Sequence, residues 1–273
     1  MKLATFDMGQ GPRVGIVTGE TIADAGFAGS MIDLIAEGGA GALTAGVSHP
    51  LLEVRLLPPV LRPGKIFAIG LNYADHIAES GLQKPEQQVW FTKAVTSLNG
   101  PHDPIRIARG SVAVDYEVEL VAVIGKRGRY ISKDDALSHI FGYCVGNDVS
   151  ERAWQRQTPQ WSLGKSFDTH APIGPWITTA DAVPDPHALD LRCVVNGETR
   201  QSSNTRHLVF DIRDQIAHLS RAMTLEPGDL IFTGTPGGVG AAMKPPCFLK
   251  SGDVVRCEVE GLGALEATMV ADG

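Results

Sequence analysis

Asp115-Tyr116-Glu117-Val118-Glu119-Leu120-Val121-Ala122-Val123-Ile124-Gly125 carries two patterns at once. In an extended chain, side chains alternate between faces, so Val114, Tyr116, Val118, Leu120, Ala122 and Ile124 form one wholly apolar face. The opposite face begins with Asp115, Glu117 and Glu119 and ends with Val121 and Val123. A half-exposed strand keeps its outer face polar throughout, and Asp and Glu are poor strand formers. Two readings stay open on this stretch alone: carboxylates converging on a positive charge, or a solvated edge strand whose acids discourage aggregation. Residues two apart on a strand are separated by about 6.5–7 Å, so both side chains can reach one ion. Without a cation, two carboxylates about 4 Å apart repel by about 4 kcal/mol at an effective dielectric near 20. That is large against a total stability of about 5–15 kcal/mol.

A chain of 273 residues can bury a sizeable core, as one large domain or one domain with a small appendage. A net charge of -7 without a Lys/Arg cluster argues against nucleic acid as a partner. The apolar runs are strand-sized and residues 1–7 hold no signal-peptide core, so no membrane association and a cytoplasmic location are expected. Cys144, Cys193, Cys247 and Cys257 form no C-x-x-C pair and read as small buried hydrophobes.

Residues 1–56 read as a small α+β unit of short strands and a helix from Met31 to Ala36. The Pro-rich stretch 57–64 reads as a linker, and the main domain as 65–273. It opens with the strand Lys65 to Gly70, then Asn72-Tyr73-Ala74-Asp75-His76-Ile77-Ala78-Glu79, a short helix with Asn72 as cap and Gly81 as terminator. His76 and Glu79 share one face, where a carboxylate orients an imidazole and raises its basicity, although such a pair on a surface helix is more often simply solvated. Residues 81–88 read as a loop or lid. A helix is expected from about Lys133 to Ile140, and then the strand Tyr143 to Gly146 runs into Asp148, with Ser150 capping a helix that presents Arg152 and Gln155. Lys165 stands alone in a partly apolar segment. Asn196-Gly197 marks a hairpin, and a helix is expected from about Asp211 to Met223. Thr233-Gly234-Thr235-Pro236-Gly237-Gly238-Val239-Gly240 lacks the Gly-Lys-Ser/Thr of a nucleotide loop, but its N–H groups suit a carboxylate or an oxyanion.

Taken in order, the acidic strand, the strand-end Asp, the Gly-Lys-Ser-Phe segment and the T-G-T-P-x-G-V-G loop resemble the fumarylacetoacetate hydrolase family over about residues 65–270. The resemblance implies a β-rich α+β fold, a mixed β-roll or sandwich of the fumarylacetoacetase C-terminal type with a small N-terminal domain, assembled as a homodimer. It implies Glu117, Glu119 and Asp148 as metal ligands; Arg152, Gln155, Gly234 and Thr235 as substrate contacts; and Lys165 in catalysis. N-Y-A-D-H-x-x-E is similar to the lid of short family members that act on acylpyruvates, which places His76 and Glu79 as the catalytic pair.

Three carboxylates without His or Cys suit Mg2+ or Mn2+ and disfavour zinc. The implied activity is metal-dependent hydrolysis of a carbon-carbon bond in a 2,4-dioxo acid, an acylpyruvate such as fumarylpyruvate or acetylpyruvate, to pyruvate and a carboxylic acid. His76, oriented by Glu79, would take a proton from the attacking water. Oxaloacetate decarboxylation and isomerisation or dehydration of a 2-oxo or sugar acid fit the same residues. A glycosidase acid pair needs no metal and usually an aromatic platform, against 6% aromatic residues. A structural cation in a non-enzyme is the remaining alternative.

Overall fold

In the computed structural model, which describes residues 1–39, 43–81 and 83–272, the acidic strand is central rather than at an edge. Val118–Ile124 pairs antiparallel with Ile140–Asn147 on one side and with Leu230–Phe232 on the other. These belong to a twelve-stranded sheet. In one direction it continues through Ile66–Gly70, parallel to Leu230–Phe232, to Val89–Thr92. In the other it runs through Ala171–Thr179 to Lys2–Asp7, Arg13–Thr18, Thr21–Asp24 and Ser48–Pro50. Residues from 1–56 thus share one sheet with the main chain, Lys2 opposite Thr178 and Leu3 opposite Ile177.

Every residue of Val118–Ile124 is buried, because both faces are covered. Val118, Leu120 and Ala122 pack with Cys193, Val255, Cys257 and Leu265 of a second sheet. That sheet has the order Glu198–Asn204, Asp190–Val195, Val254–Val259, Gly263–Ala271, Ile105–Ile107, and the helix Ile212–Ala222 joins the same core. Val121 and Val123 pack on the other side with Phe232 and with Met31, Leu34 and Ile35 of the helix Met31–Ala36. At about 1.5–3 kcal/mol per fully buried aliphatic side chain, this double coverage makes the strand the anchor of both cores.

Local signals explain several boundaries. Ser30 and Asp33 form a reciprocal capping box before Met31–Ala36. Asp211 caps Ile212–Ala222 by accepting from the Asp214 N–H. Asn196 and Gly197, at φ 51° and 83°, make the two-residue hairpin turn expected of that pair.

Other expectations are corrected. The strand from Val114 is interrupted at Tyr116-Glu117, because Val114–Asp115 pairs instead with Ser150–Glu151. The helix expected over 133–140 is only a short 3-10 turn, Ala136–His139. Tyr73 precedes the helix Ala74–Ser80 and Asn72 does not cap it, having been drawn into the interior. Ser150 sits in a strand, and Glu151 caps the four-residue helix Arg152–Gln155 through the Trp154 N–H. Cys247 is exposed, unlike the other three cysteines. Leu82, in the loop expected over 81–88, and Gly273, the end of the expected main domain, lie outside the described residues.

Candidate active site

The interruption at Tyr116-Glu117 assembles the acids. The Glu117 N–H donates to Asn147 Oδ1 at 3.0 Å and the Val118 N–H to Gln201 Oε1 at 2.9 Å, so side chains replace the missing ladder bonds. Asp148 follows Asn147, the partner of Val118, and its N–H donates to the Glu117 carbonyl at 2.9 Å. Carboxylate oxygens of Glu117, Glu119 and Asp148 consequently lie within 4.8 Å of one another, all three residues buried.

Three buried cations surround them. Lys165 Nζ lies 2.5 Å from Glu117 Oε2 and 2.6 Å from Asp148 Oδ2. Lys93 Nζ donates to Asp148 Oδ1 at 2.5 Å and to the Lys165 carbonyl. Arg152 places Nε 2.9 Å from Asp115 Oδ2, Nη2 2.7 Å from Glu117 Oε1 and Nη1 3.0 Å from Gln155 Oε1. The guanidinium expected to meet substrate lines the site's cavity and also holds Glu117 and Gln155. Asp115 also accepts the N–H groups of Gly240 and Ala241 at 2.8 and 3.0 Å, joining the acidic strand to the end of the glycine loop.

Burial opposes ionisation of Glu117, but Arg152 and Lys165 outweigh it and hold its pKa down at about 2. Glu119 differs. Burial, reinforced by the charges of Asp148 and Glu117, pushes its pKa well above the usual carboxylate value. Among the described residues Glu119 makes no ion pair, although Gly234 N–H donates to its Oε2 at 2.7 Å. Burial also works against the charged form of Lys165, yet Asp148 and Glu117 raise its pKa. Four carboxylates thus face three cations, and the shortfall of positive charge falls on Glu119. An all-carboxylate donor set with that shortfall fits a hard divalent cation.

His76 and Glu79 come from the helix Ala74–Ser80, which Gly81 ends at φ 69°. His76 Nδ1 lies 2.8 Å from Glu79 Oε1, and Glu79 Oε2 accepts the Gly238 N–H at 2.7 Å. A carboxylate only accepts, so this contact places a proton on Nδ1. Asn72 ties the helix down by donating to the Phe210 and Thr233 carbonyls at 3.0 and 2.8 Å and accepting from the Phe210 N–H at 2.8 Å. Thr235 Oγ1 donates to the Val118 carbonyl at 2.9 Å and accepts from Gln201 Nε2 at 2.8 Å. Gly238 has φ 103°, and a Cβ there would meet the Arg200 carbonyl at 2.0 Å, so only glycine fits.

His76, Glu79, Glu117, Glu119, Arg152, Gln155, Lys165 and Thr235 all line one cavity of about 980 Å³. Asp148 and Gly234 stand behind its wall. A second cavity, of about 1140 Å³, lies along the five-stranded sheet and includes none of these residues. Lys93, Asn147 and Gln201 complete the site without having been singled out as members of it from sequence, beside Asp115 of the acidic face. A lysine at a strand end and amides in ordinary strands carry no local sign of burial, and only the pairing of distant strands reveals it.

The sequence pattern described as fumarylacetoacetate (FAA) hydrolase C-terminal matches residues 65–270. The chain belongs to the fumarylacetoacetate hydrolase family. A mitochondrial oxaloacetate tautomerase of Xenopus laevis is 49% identical over 220 residues, covering 80% of this chain and 69% of that one. Among solved structures, a fumarylacetoacetate hydrolase of Exiguobacterium antarcticum superposes with a TM-score of 0.90 at 39% identity, each chain covered in full. A maleylpyruvate hydrolase of Sphingobium sp. SYK-6, in complex with manganese and pyruvate, does so with 0.84 at 37% identity, again over both whole chains.

The β-rich architecture expected from the resemblance is the one this family shares. Among the described residues no helix is long and apolar enough to cross a membrane. The arrangement places a carboxylate group that could hold a cation and the His76–Glu79 pair along one cavity.

Proposed function

We propose that this chain is a Mg2+- or Mn2+-dependent hydrolase of an acylpyruvate, releasing pyruvate and a carboxylic acid. The observation that carries the reading is the His76–Glu79 pair, 2.8 Å apart, lining the same cavity as Glu117 and Glu119. A cation held by Glu117, Glu119 and Asp148 would supply Lewis-acid polarisation of the 2-oxo acid end of the substrate. Lys165, kept protonated between Glu117 and Asp148, holds positive charge beside that end. His76 takes a proton from water at Nε2, and the hydroxide adds to the distal carbonyl. The bond between that carbon and the pyruvyl methylene then breaks, its electron pair remaining on the methylene carbon, which is protonated to give pyruvate. Gln155, fixed by Arg152, lies within reach of the same cavity.

A second reading, interconversion of the enol and keto forms of oxaloacetate, is favoured by the 49% identity to proteins of that name. Here His76 would move the C3 proton and no bond between carbons would break. The two are separated by assaying pyruvate release from acetylpyruvate, fumarylpyruvate and oxaloacetate with Mg2+, Mn2+ or chelator, alongside decay of the oxaloacetate enol absorbance. Metal-dependent cleavage of an acylpyruvate, reduced about 10²–10⁴-fold by His76→Ala, supports hydrolysis. Loss of the enol signal with no cleavage of any acylpyruvate replaces it by tautomerisation.

A further inference from the structure

Val118 stands between two of the acids, Glu117 and Glu119, and side chains from distant parts of the chain hold both of its backbone polar groups. Its N–H donates to Gln201 Oε1 at 2.9 Å, and its carbonyl accepts from Thr235 Oγ1 at 2.9 Å. Gln201 Nε2 donates to that same Thr235 oxygen at 2.8 Å and to the Pro236 carbonyl at 2.9 Å. Three bonds thus close a ring through Val118, Gln201 and Thr235. Their directions follow from the groups themselves. A backbone N–H only donates, so the amide oxygen faces Val118; a carbonyl only accepts, so the Thr235 proton points to Val118 and its oxygen takes a proton from Gln201. Gln201 is 1% exposed, comes from the strand Glu198–Asn204 of the second sheet, and has both amide protons in use. A buried network satisfied in this way is rigid, and opening it strands polar groups away from water.

The ring joins two parts of the centre. On one side are carboxylates within 4.8 Å of one another, which repel until a cation arrives. On the other is the glycine loop, which steps back along the acidic strand. The Thr233 N–H bonds the Leu120 carbonyl at 3.1 Å, the Gly234 N–H bonds Glu119 Oε2 at 2.7 Å, and Thr235 reaches Val118. Gln201 clamps the last of these steps from the opposite sheet. Without the clamp the loop can part from the strand at Thr235, and repulsion among Glu117, Glu119 and Asp148 favours the parting. The same loop carries Gly238, whose N–H holds Glu79 Oε2.

We infer that Gln201 is a positioning residue of the centre: through Val118 and Thr235 it fixes the spacing of Glu117 and Glu119 and binds the carboxylate cluster to the glycine loop. Cation affinity then depends on an amide that, among the described residues, bonds none of the three carboxylates. The inference rests on the cation reading above and adds to it the group that shapes the cage before it is filled.

The test is calorimetric titration of the protein with Mn2+ in the absence of substrate, beside a melting curve for each variant. Gln201→Met keeps the length of the side chain and removes all three of its bonds, and it should lower Mn2+ affinity about 10–100-fold, the usual effect of losing a group that supports metal ligands. Thr235→Val opens the ring while leaving the amide in place and should lower affinity about tenfold. Combined, the two should cost no more than Gln201→Met alone, because they break one ring. Val255→Ala, in the core beneath the same sheet, should lower the melting temperature and leave Mn2+ affinity as in the wild type. Wild-type affinity in Gln201→Met, or losses that add in the double variant, overturns the inference and leaves the cation reading intact. Should Gln201→Met not fold, wild-type affinity in Thr235→Val overturns it equally. Absence of Mn2+ binding by the wild type overturns the cation reading and the inference with it.

Discussion

Glu117 and Glu119 are only two residues apart, yet their substitution should act in opposite directions on the metal-free protein. Glu119→Gln removes repulsion from Asp148 and Glu117 and should raise the urea midpoint. Glu117→Gln strips Lys165 and Arg152 of a partner and should lower stability by about 3–5 kcal/mol, the usual cost of breaking a buried pair. Mn2+ should raise the melting temperature of the wild type, and both variants should lose that rise. Lys93→Met, which leaves Asp148 with Lys165 as its remaining cation, should cost a similar 3–5 kcal/mol in the same urea experiment. His170 is fully buried, with Nε2 2.9 Å from the Arg106 carbonyl and no partner for Nδ1. Burial lowers its pKa from 6.5 to about 4. The folded state therefore favours the neutral ring, and the resulting stability is complete above pH 6.5 and lost as pH falls through 4. Unfolding free energies at pH 7 and pH 4.5 should differ by about 2–3 kcal/mol less in His170→Phe than in the wild type.

At the scale of elements, the helix Arg152–Gln155 and the segment ending in Lys165 are locked by a single close approach. A Cβ on Gly164 would lie 2.3 Å from the Gln155 nitrogen, while the Gly164 carbonyl accepts the Glu151 N–H at 2.8 Å. Gly164→Ala should displace Gln155 and lower kcat/KM about 10²-fold, measured beside a melting curve that shifts by a few degrees. The alternation of the acidic strand, the hairpin at Asn196-Gly197 and the helix behind Asp211 were legible in sequence because each is set by neighbours in the chain. Asn72 was misread for the opposite reason. As a helix cap it obeys a local rule, but its partners Phe210 and Thr233 lie 138 and 161 positions away, and those buried bonds win. Residues 133–140 have helical periodicity but form only the 3-10 turn Ala136–His139 before the chain becomes extended at Ile140. The acids were recognisable, whereas the commitment of Arg152 to Asp115 and Glu117 was not, since residue type does not say which of two neighbours a guanidinium will choose.

Across the whole molecule, the helix Met31–Ala36 and the strand Lys2–Asp7 cover surface that the catalytic region cannot cover itself. Deleting residues 1–56 would bare Ile173, Ile177 and Phe232 and unpair one edge of Ala171–Thr179. The truncated chain should be insoluble or should lose its near-ultraviolet circular dichroism, which expression of residues 57–273 would reveal. The same architecture divides the site between unequal foundations. Glu119 rides on a strand hydrogen-bonded on both sides and buried at every position. His76 and Glu79 ride on a seven-residue helix that is held, among the described residues, by side-chain bonds from Asn72, Glu79 and Ser203 and by the buried Ile77. In deuterium labelling, amides of 119–123 should be among the last to exchange and those of 74–79 among the first. Adaptation to cold or heat can then proceed by loosening or tightening the mounting of His76 and Glu79, while the carboxylate cluster inherits its rigidity from the sheet and need not change.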